Sequence, residues 1–210
     1  MKKVKNRSMI LLFVSLSFLS FNIISCSTQG DDTDNQSVEL TQEEKDMLIH
    51  MREEEKLARD VYDYLFNVHG LQIFDNISNS EQVHMDKVLL VLNKYNIPDP
   101  ALPNAGEFSD TFLQNLYNQL TAQGDPSVID ALKVGATIED LDIYDLQEFS
   151  PQTDNEDILN LFEDTLECGS RNHMRAFYSQ ITNRGDDYTP QYISQTEFDD
   201  IINSPRERCN

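Results

Sequence analysis

The chain has 210 residues, 16 basic and 37 acidic side chains, a formal charge of −21 and 39 % hydrophobic residues. That length suffices for one domain with a real core. The acidity excludes a nucleic-acid binder, because phosphate contacts need a basic face; it suits attraction of cations without by itself showing a site for one.

Lys2, Lys3, Lys5 and Arg7 precede an almost unbroken apolar run from Met9 to Phe21, and Ile23-Ile24-Ser25-Cys26 follows. A positive start, an apolar stretch and a small residue before the cut predict a secretory signal over residues 1–25. The cysteine resembles that of a bacterial lipobox. This implies lipidation at Cys26 and a chain held by its lipid on the periplasmic face or outer surface of a bacterial membrane, without a spanning helix. A plain signal, or an N-terminal anchor with an incidental cysteine, is the competing reading. Residues 26–40 are mostly polar and read as the lipidated cysteine and a flexible tether. Asp31, Asp32 and Asp34 read equally as an export signal or a solvated spacer. Removing residues 1–25 takes away four basic side chains and no acidic one, which leaves 12 against 37, or −25. Cys168 and Cys209 then remain. Their spacing leaves open whether they pair in an oxidising compartment, and no zinc-type cysteine set is present.

The helical domain is expected over residues 41–204. Thr41 followed by Glu43 and Glu44 starts a helix over 41–69 that ends at Gly70. A second runs over 75–96 and stops before Pro98. A loop with Pro98, Pro100, Pro103 and Gly106 leads to a short helix over 109–123. A third long helix starts near Asp125-Pro126 and runs to Phe149. A fourth spans 154–184, and a short one covers 194–203 in the tail. No alternating strand pattern or internal repeat competes. About five residues join the first two helices, which predicts antiparallel neighbours. Nearly thirty residues join helices two and three, which permits a crossover containing the short helix. The expected fold is therefore all-α, a ferritin-like four-helix bundle.

Steps of three and four give each helix an apolar stripe. They are Met47, Met51, Glu55, Ala58, Tyr62 and Leu65; Ile77, Glu81, His84, Val88, Val91 and Tyr95; Val128, Leu132, Gly135, Glu139, Asp142, Leu146 and Phe149; and Leu159, Phe162, Leu166, Ser170, His173, Phe177 and Ile181. Each stripe turns polar near its middle. Carboxylates there would lose their hydration and need compensation. A pair of divalent cations supplies it, and Glu81 with His84 is the Glu-x-x-His device of di-iron bundles. Glu55, Glu81, His84, Glu139 and His173 are the expected ligands, with Glu81 or Glu139 bridging. Asp142 is a further candidate, and Tyr62 a residue that orients a ligand or a plain core tyrosine. Glu54 also lies near the inner face, and any of Glu53 to Glu55 could be surface. Three His-Met pairs invite copper, but adjacent helical residues point about 100° apart and cannot share one ion. Arg59 and Arg171 are expected to pair with local acids.

The residues from Glu55 to Tyr62 and from Glu81 to His84 look like the first two metal helices of rubrerythrin-type proteins. With 51–62, 80–86, 130–135, 169–177 and 188–192, they resemble the ferritin-like domain-of-unknown-function family 2202 over about residues 41–200. That resemblance implies a ferritin-like fold and leaves the reaction open. One departure stands out: Ser170 occupies the position three before His173, where di-iron bundles carry a second Glu-x-x-His glutamate. The reading is an envelope-anchored protein with two iron ions, manganese being the alternative, that handles oxygen, peroxide or ferrous ion. An external redox partner is required, and a homodimer is admitted. The rival reading is a non-catalytic helical lipoprotein acting as an envelope binding or interaction module.

Overall fold

The computed structural model describes residues 39–210, and all secondary structure among these residues is helical. The signal, Cys26 and nearly all of the expected tether lie outside the described residues. The tether's last residue, Leu40, is buried with Met47 and Leu48, so the folded domain begins one residue earlier than its polarity pattern suggested.

Helix α1 (Gln42–His69) starts with a complete capping box between Thr41 and Glu44 and ends at Gly70, whose φ of 65° fits the left-handed cap. Only Gly70 and Leu71 separate it from α2 (Gln72–Lys94), so α2 begins three residues before its expected start. Helix α3 (Thr111–Gly124) is capped by Asp110. Helix α4 (Val128–Phe149) starts behind a Ser127 cap, two residues past Pro126. The expected fourth helix is three pieces in series: α5 (Glu156–Leu161), a π-helical turn (Phe162–Glu167) and α6 (Cys168–Thr182). A π turn takes one more residue than an α turn. That shifts the inward face upstream: Ile158 is fully buried and Leu159, the expected stripe residue, is only partly so. Helix α7 (Gln195–Asn203) follows in the tail. No helix among the described residues is long and apolar enough to cross a membrane.

Side-chain ladders fix how the long helices lie. Between α1 and α2, Asp63 meets Ser78, Arg59 meets Gln82 and Glu55 meets His84. Between α4 and α6, Phe177 lies against Gly135, His173 meets Glu139 and Ser170 meets Asp142. Tyr62 meets Glu139 and His50 meets Asp145 between α1 and α4. His173 meets Ser80 and His84 lies against Gly169 between α2 and α6. Numbers rise on one helix as they fall on its neighbour in every ladder, so each of these pairs is antiparallel.

The apolar interior forms two clusters. One holds Val61, Leu65, Phe74, Leu132, Phe177 and Ile181, and the other Met47, Met51, Val88, Leu92, Leu146, Phe162 and Leu166. The polar middle of each stripe lies between them.

Helix α1 buries a second polar face against the segment that joins α2 to α3. Arg52 donates two hydrogen bonds to Asp99 at 2.9 and 2.8 Å. Glu53 accepts from the Ser109 amide. Lys56, 1 % exposed, donates to Asp60 and to the carbonyls of Asn104 and Glu107, and sits 4.3 Å from the Phe108 ring centroid. Asp60 also accepts from the Gly106 amide and from Arg59. The tail is tied likewise: Asp140 accepts from the amides of Gln191, Tyr192 and Ile193 and from the Tyr188 hydroxyl. Cys168 and Cys209 form a disulfide. Arg171 and Arg175 both hold Glu207.

Removing the Lys56 ammonium strands the buried Asp60 with only Arg59 and one amide. Lys56→Ala is expected to lose about 3 kcal/mol of unfolding free energy, read by urea denaturation. A loss below about 1 kcal/mol would mean that the clamp contributes little.

Candidate metal centre

The polar layer is assembled by spacing. Glu81 and His84, three apart on α2, project from one face, and the antiparallel neighbours bring Glu55 and His173 alongside. His84 Nδ1 lies 2.7 Å from Glu81 Oε2 and 3.2 Å from Glu55 Oε2. His173 Nδ1 lies 2.8 Å from Glu81 Oε1 and 3.4 Å from Glu139 Oε2. Each set of three is buried, with its donor atoms within 4.8 Å of one another. Glu81 belongs to both and gives one oxygen to each. The two imidazoles stack, with centroids 5.6 Å apart and planes inclined by 26°.

Neighbouring residues set these orientations. His173 uses its other ring nitrogen, Nε2, on the Ser80 hydroxyl at 3.0 Å. A Cβ on Gly169 would lie 2.4 Å from the His84 ring, so only glycine leaves His84 its place there. The Tyr62 hydroxyl donates to Glu139 Oε1 at 2.5 Å and fixes that carboxylate. Asp142 stands apart from both histidine sets. It accepts a hydrogen bond from Ser170 and, with Glu54, Glu55, Glu81 and Glu139, lines a gap too narrow for a water molecule. All the expected ligands therefore meet at one depth, with Asp142 on the gap's far side and Tyr62 against a ligand. Arg59 pairs with Asp60, and Arg171 with Glu167 and Glu207.

Five carboxyl groups thus surround one dry gap. Burial pushes Glu55 up to about 8, against the pull of His84. Burial likewise raises Glu54 and Glu139, and lifts Asp142 well above its ordinary range with help from Glu55 and Glu54. Glu81 alone goes down: burial opposes its charge, but His173 and His84 outweigh it. Burial also disfavours the two imidazolium ions, yet Glu81 and Glu139 carry His173 to about 10, and Glu55 and Glu81 carry His84 well above 6.5. Burial lifts the Tyr62 phenol well above 10, reinforced by Glu139.

The donors fit a cation. Glu54 Oε2, Glu55 Oε1 and Asp142 Oδ1 are buried without a hydrogen-bond partner among the described residues, and Glu81 Oε1 faces only His173 Nδ1 at 2.8 Å. Native interiors seldom leave such groups unmatched. Carboxylate oxygen and imidazole nitrogen suit iron, manganese and zinc. The second nitrogen of His173 is held by a neighbour, as metal-binding histidines usually are.

Reading the spacing alone did not single out Glu54 as a wall of this gap. It is one of three consecutive glutamates, and nothing within that run sets it apart. Its neighbours on the other side, His50 and Asp145, are 95 residues apart in the chain, and no local pattern joins them.

Comparison with known proteins places the chain. A family model described as an uncharacterized protein domain, DUF2202, matches residues 44–205. An uncharacterized protein of Methanocaldococcus jannaschii, MJ0754, is 56 % identical over 170 residues, which cover 80 % of this chain and 91 % of that protein. The crystal structure of that hypothetical protein superposes with a TM-score of 0.79 at 53 % identity, covering 87 % of this chain and 99 % of the other. On a match of this extent, the chain belongs to the DUF2202 family.

Proposed function

We propose that the chain is a ferritin-like bundle whose central layer binds two divalent metal ions, iron first and manganese as the alternative, for oxidation of ferrous ion or handling of peroxide. The single observation that carries this reading is Glu81, which offers one carboxylate oxygen to each of two buried histidine–carboxylate sets. Glu55, Glu81 and His84 would hold one ion, and Glu81, Glu139 and His173 the other. The ladders support the ferritin-like order. With α1 antiparallel to both α2 and α4, these two run the same way, and the long connection carrying α3 supplies the crossover that such a pair needs.

Ferrous ions held by Glu55, Glu81, His84, Glu139 and His173 would supply electrons for reduction of dioxygen or peroxide. The chain's own residues do the rest. Tyr62 orients Glu139, Ser80 orients His173, and the apolar clusters above and below keep bulk water from the layer. An open recess of about 680 Å³ reaches the edges of His84 and His173 from the surface, bounded by Ser80, Asn172 and the tail around Arg206. This is the approach for a small oxidant. The electron donor for a return step is an external partner. Lipidation at Cys26 belongs to the same reading and would place this chemistry on a membrane surface in the cell envelope. The second reading, a non-catalytic envelope binding module, draws on Ser170, which removes one carboxylate from the expected set.

Metal uptake separates these readings. The metal-stripped full chain is expected to take up two Fe(II) per molecule. Each site gains about 2.7 kcal/mol of stability at a hundredfold excess over its Kd, read as a rise in melting temperature. Glu81→Gln is expected to lose both ions together, because one carboxylate serves both. Bound ferrous ion that is oxidised by peroxide or dioxygen supports the catalytic reading. Binding without oxidation supports the module, and no binding removes the centre altogether.

The metal-free protein is expected to weaken as pH rises. The folded pKa of Glu55, about 8, lies above its ordinary 4.5, and that of His173, about 10, above its ordinary 6.5. Both groups keep protons in the folded chain that the unfolded chain releases. Their contribution is complete below the unfolded values and disappears through about pH 5–8 for Glu55 and pH 6.5–10 for His173. Glu81, shifted down, is ionised in both states across that range and adds no slope. Each retained proton costs up to about 1.4 kcal/mol per pH unit. Melting temperatures from pH 6 to 10 should fall without metal and fall less with it; a metal-free protein that grows more stable over that range contradicts the assignment.

A further inference from the structure

We propose that His50, Glu54 and Asp145, at the seam of α1 and α4, form a separate site for one divalent transition cation. The three residues bring His50 Nε2, Glu54 Oε2 and Asp145 Oδ2 within 4.8 Å of one another. His50 and Glu54 are four apart on α1, so both side chains lie on one face, and Asp145 reaches them from the antiparallel neighbour.

Two independent observations point to a ligand. First, Glu54 is 2 % exposed, and its Oε2 has no hydrogen-bond partner among the described residues. A carboxylate oxygen this deep, whose nearest donor is the His50 ring at 3.4 Å, is seldom left unmatched in a folded interior. Second, the spacing is that of a coordination shell. His50 Nε2 stands 3.4 Å from Glu54 Oε2 and 3.3 Å from Asp145 Oδ2. Donors about 2.0–2.1 Å from a tetrahedral ion lie about 3.3–3.4 Å from each other. A charge-assisted hydrogen bond between the same groups would draw them to about 2.7–2.9 Å. The competing occupant is a proton on His50, which burial opposes but Asp145 and Glu54 favour, and cobalt uptake separates the two.

One imidazole and two carboxylates suit zinc, ferrous iron, cobalt or manganese over the soft ions. His50 and Asp145 keep 29 % and 21 % of their side-chain surface exposed, which leaves the fourth position to water. Phe149 meets the His50 ring edge-on at 5.6 Å and fixes its plane. Glu54 also lines the central gap, so the site sits on the solvent side of the buried layer. It does not depend on the central pair being filled.

Co(II) is the probe, because four-coordinate cobalt absorbs visible light far more strongly than six-coordinate cobalt. The metal-stripped full chain is titrated with Co(II), and bound metal is counted after dialysis. His50→Gln and Asp145→Asn, both on the solvent side, are each expected to bind one cobalt fewer than the parent and to lose the strong visible band. Glu81→Gln is expected to keep that band, which separates this site from the central one. If the central layer binds nothing, the difference of one cobalt between the parent and His50→Gln remains. A parent without the strong band, or seam variants that match it in count and spectrum, overturns the proposal. Unchanged helical circular dichroism without metal shows that each variant is folded.

Discussion

Burying five carboxyl groups around a gap that excludes water is the constraint on which the rest of this structure depends. Each such group loses several kcal/mol of hydration unless a proton, a hydrogen bond or a cation replaces it. The chain contains its own control. The buried charges on the outer face of α1 are matched except at one atom: Lys56 pairs with Asp60 and two carbonyls, Arg52 with Asp99 while its Nη1 stays unpartnered, and Glu53 with an amide. The central layer, a turn away on the same helix, leaves oxygen after oxygen without a partner. One face of α1 is thus completed by the polypeptide, whereas the other holds carboxyls that burial drives toward their protonated forms and that a bound cation would compensate as well.

The surrounding fold keeps that layer dry and in register. Apolar clusters close it at both ends. The π turn before α6 adjusts the face of the helix that carries Gly169, Ser170 and His173. Directly after it, Cys168 ties this stretch to Cys209 in the tail. Gly169 lets the His84 ring approach the helix backbone, and Gly135 does the same for Phe177. A π turn inside an α-helix costs ordinary hydrogen bonding and persists mostly where a site needs it. Its place here, one turn before Ser170 and nearly two before His173, agrees with that rule.

Much of this was legible in the sequence, and the residues show why. Thr41 with Glu44, Gly70 and Ser194 mark helix ends through local capping chemistry. Glu55, Glu81, His84, Glu139 and His173 could be found because each interrupts an apolar stripe at matching depth, a periodic signal carried within one helix. What depends on distant segments was not readable. Glu53 and Lys56 are buried against the connection at Asn104 to Ser109. The Cys168–Cys209 pair spans 41 residues with no spacing rule behind it. Leu159 was assigned inward because an α-helical period was carried through a π turn. His50 and Asp145 were passed over because nothing in either neighbourhood refers to the other.

Ser170 shows how the chain handles the carboxylate it lacks. A glutamate three before His173 would enter the layer from α6. The serine instead donates its hydroxyl to Asp142 on α4, so an acid from the opposite helix stands beside the gap and α6 only holds it. Asp142 Oδ2 is then occupied, while Oδ1 is left bare. Glu81 is then the acid that gives one oxygen to each histidine and the one acid of the layer whose ionised form the surroundings favour, because both histidines face it. Charge and geometry therefore converge on the same residue: the carboxylate that must remain ionised is also the one that touches both halves of the centre.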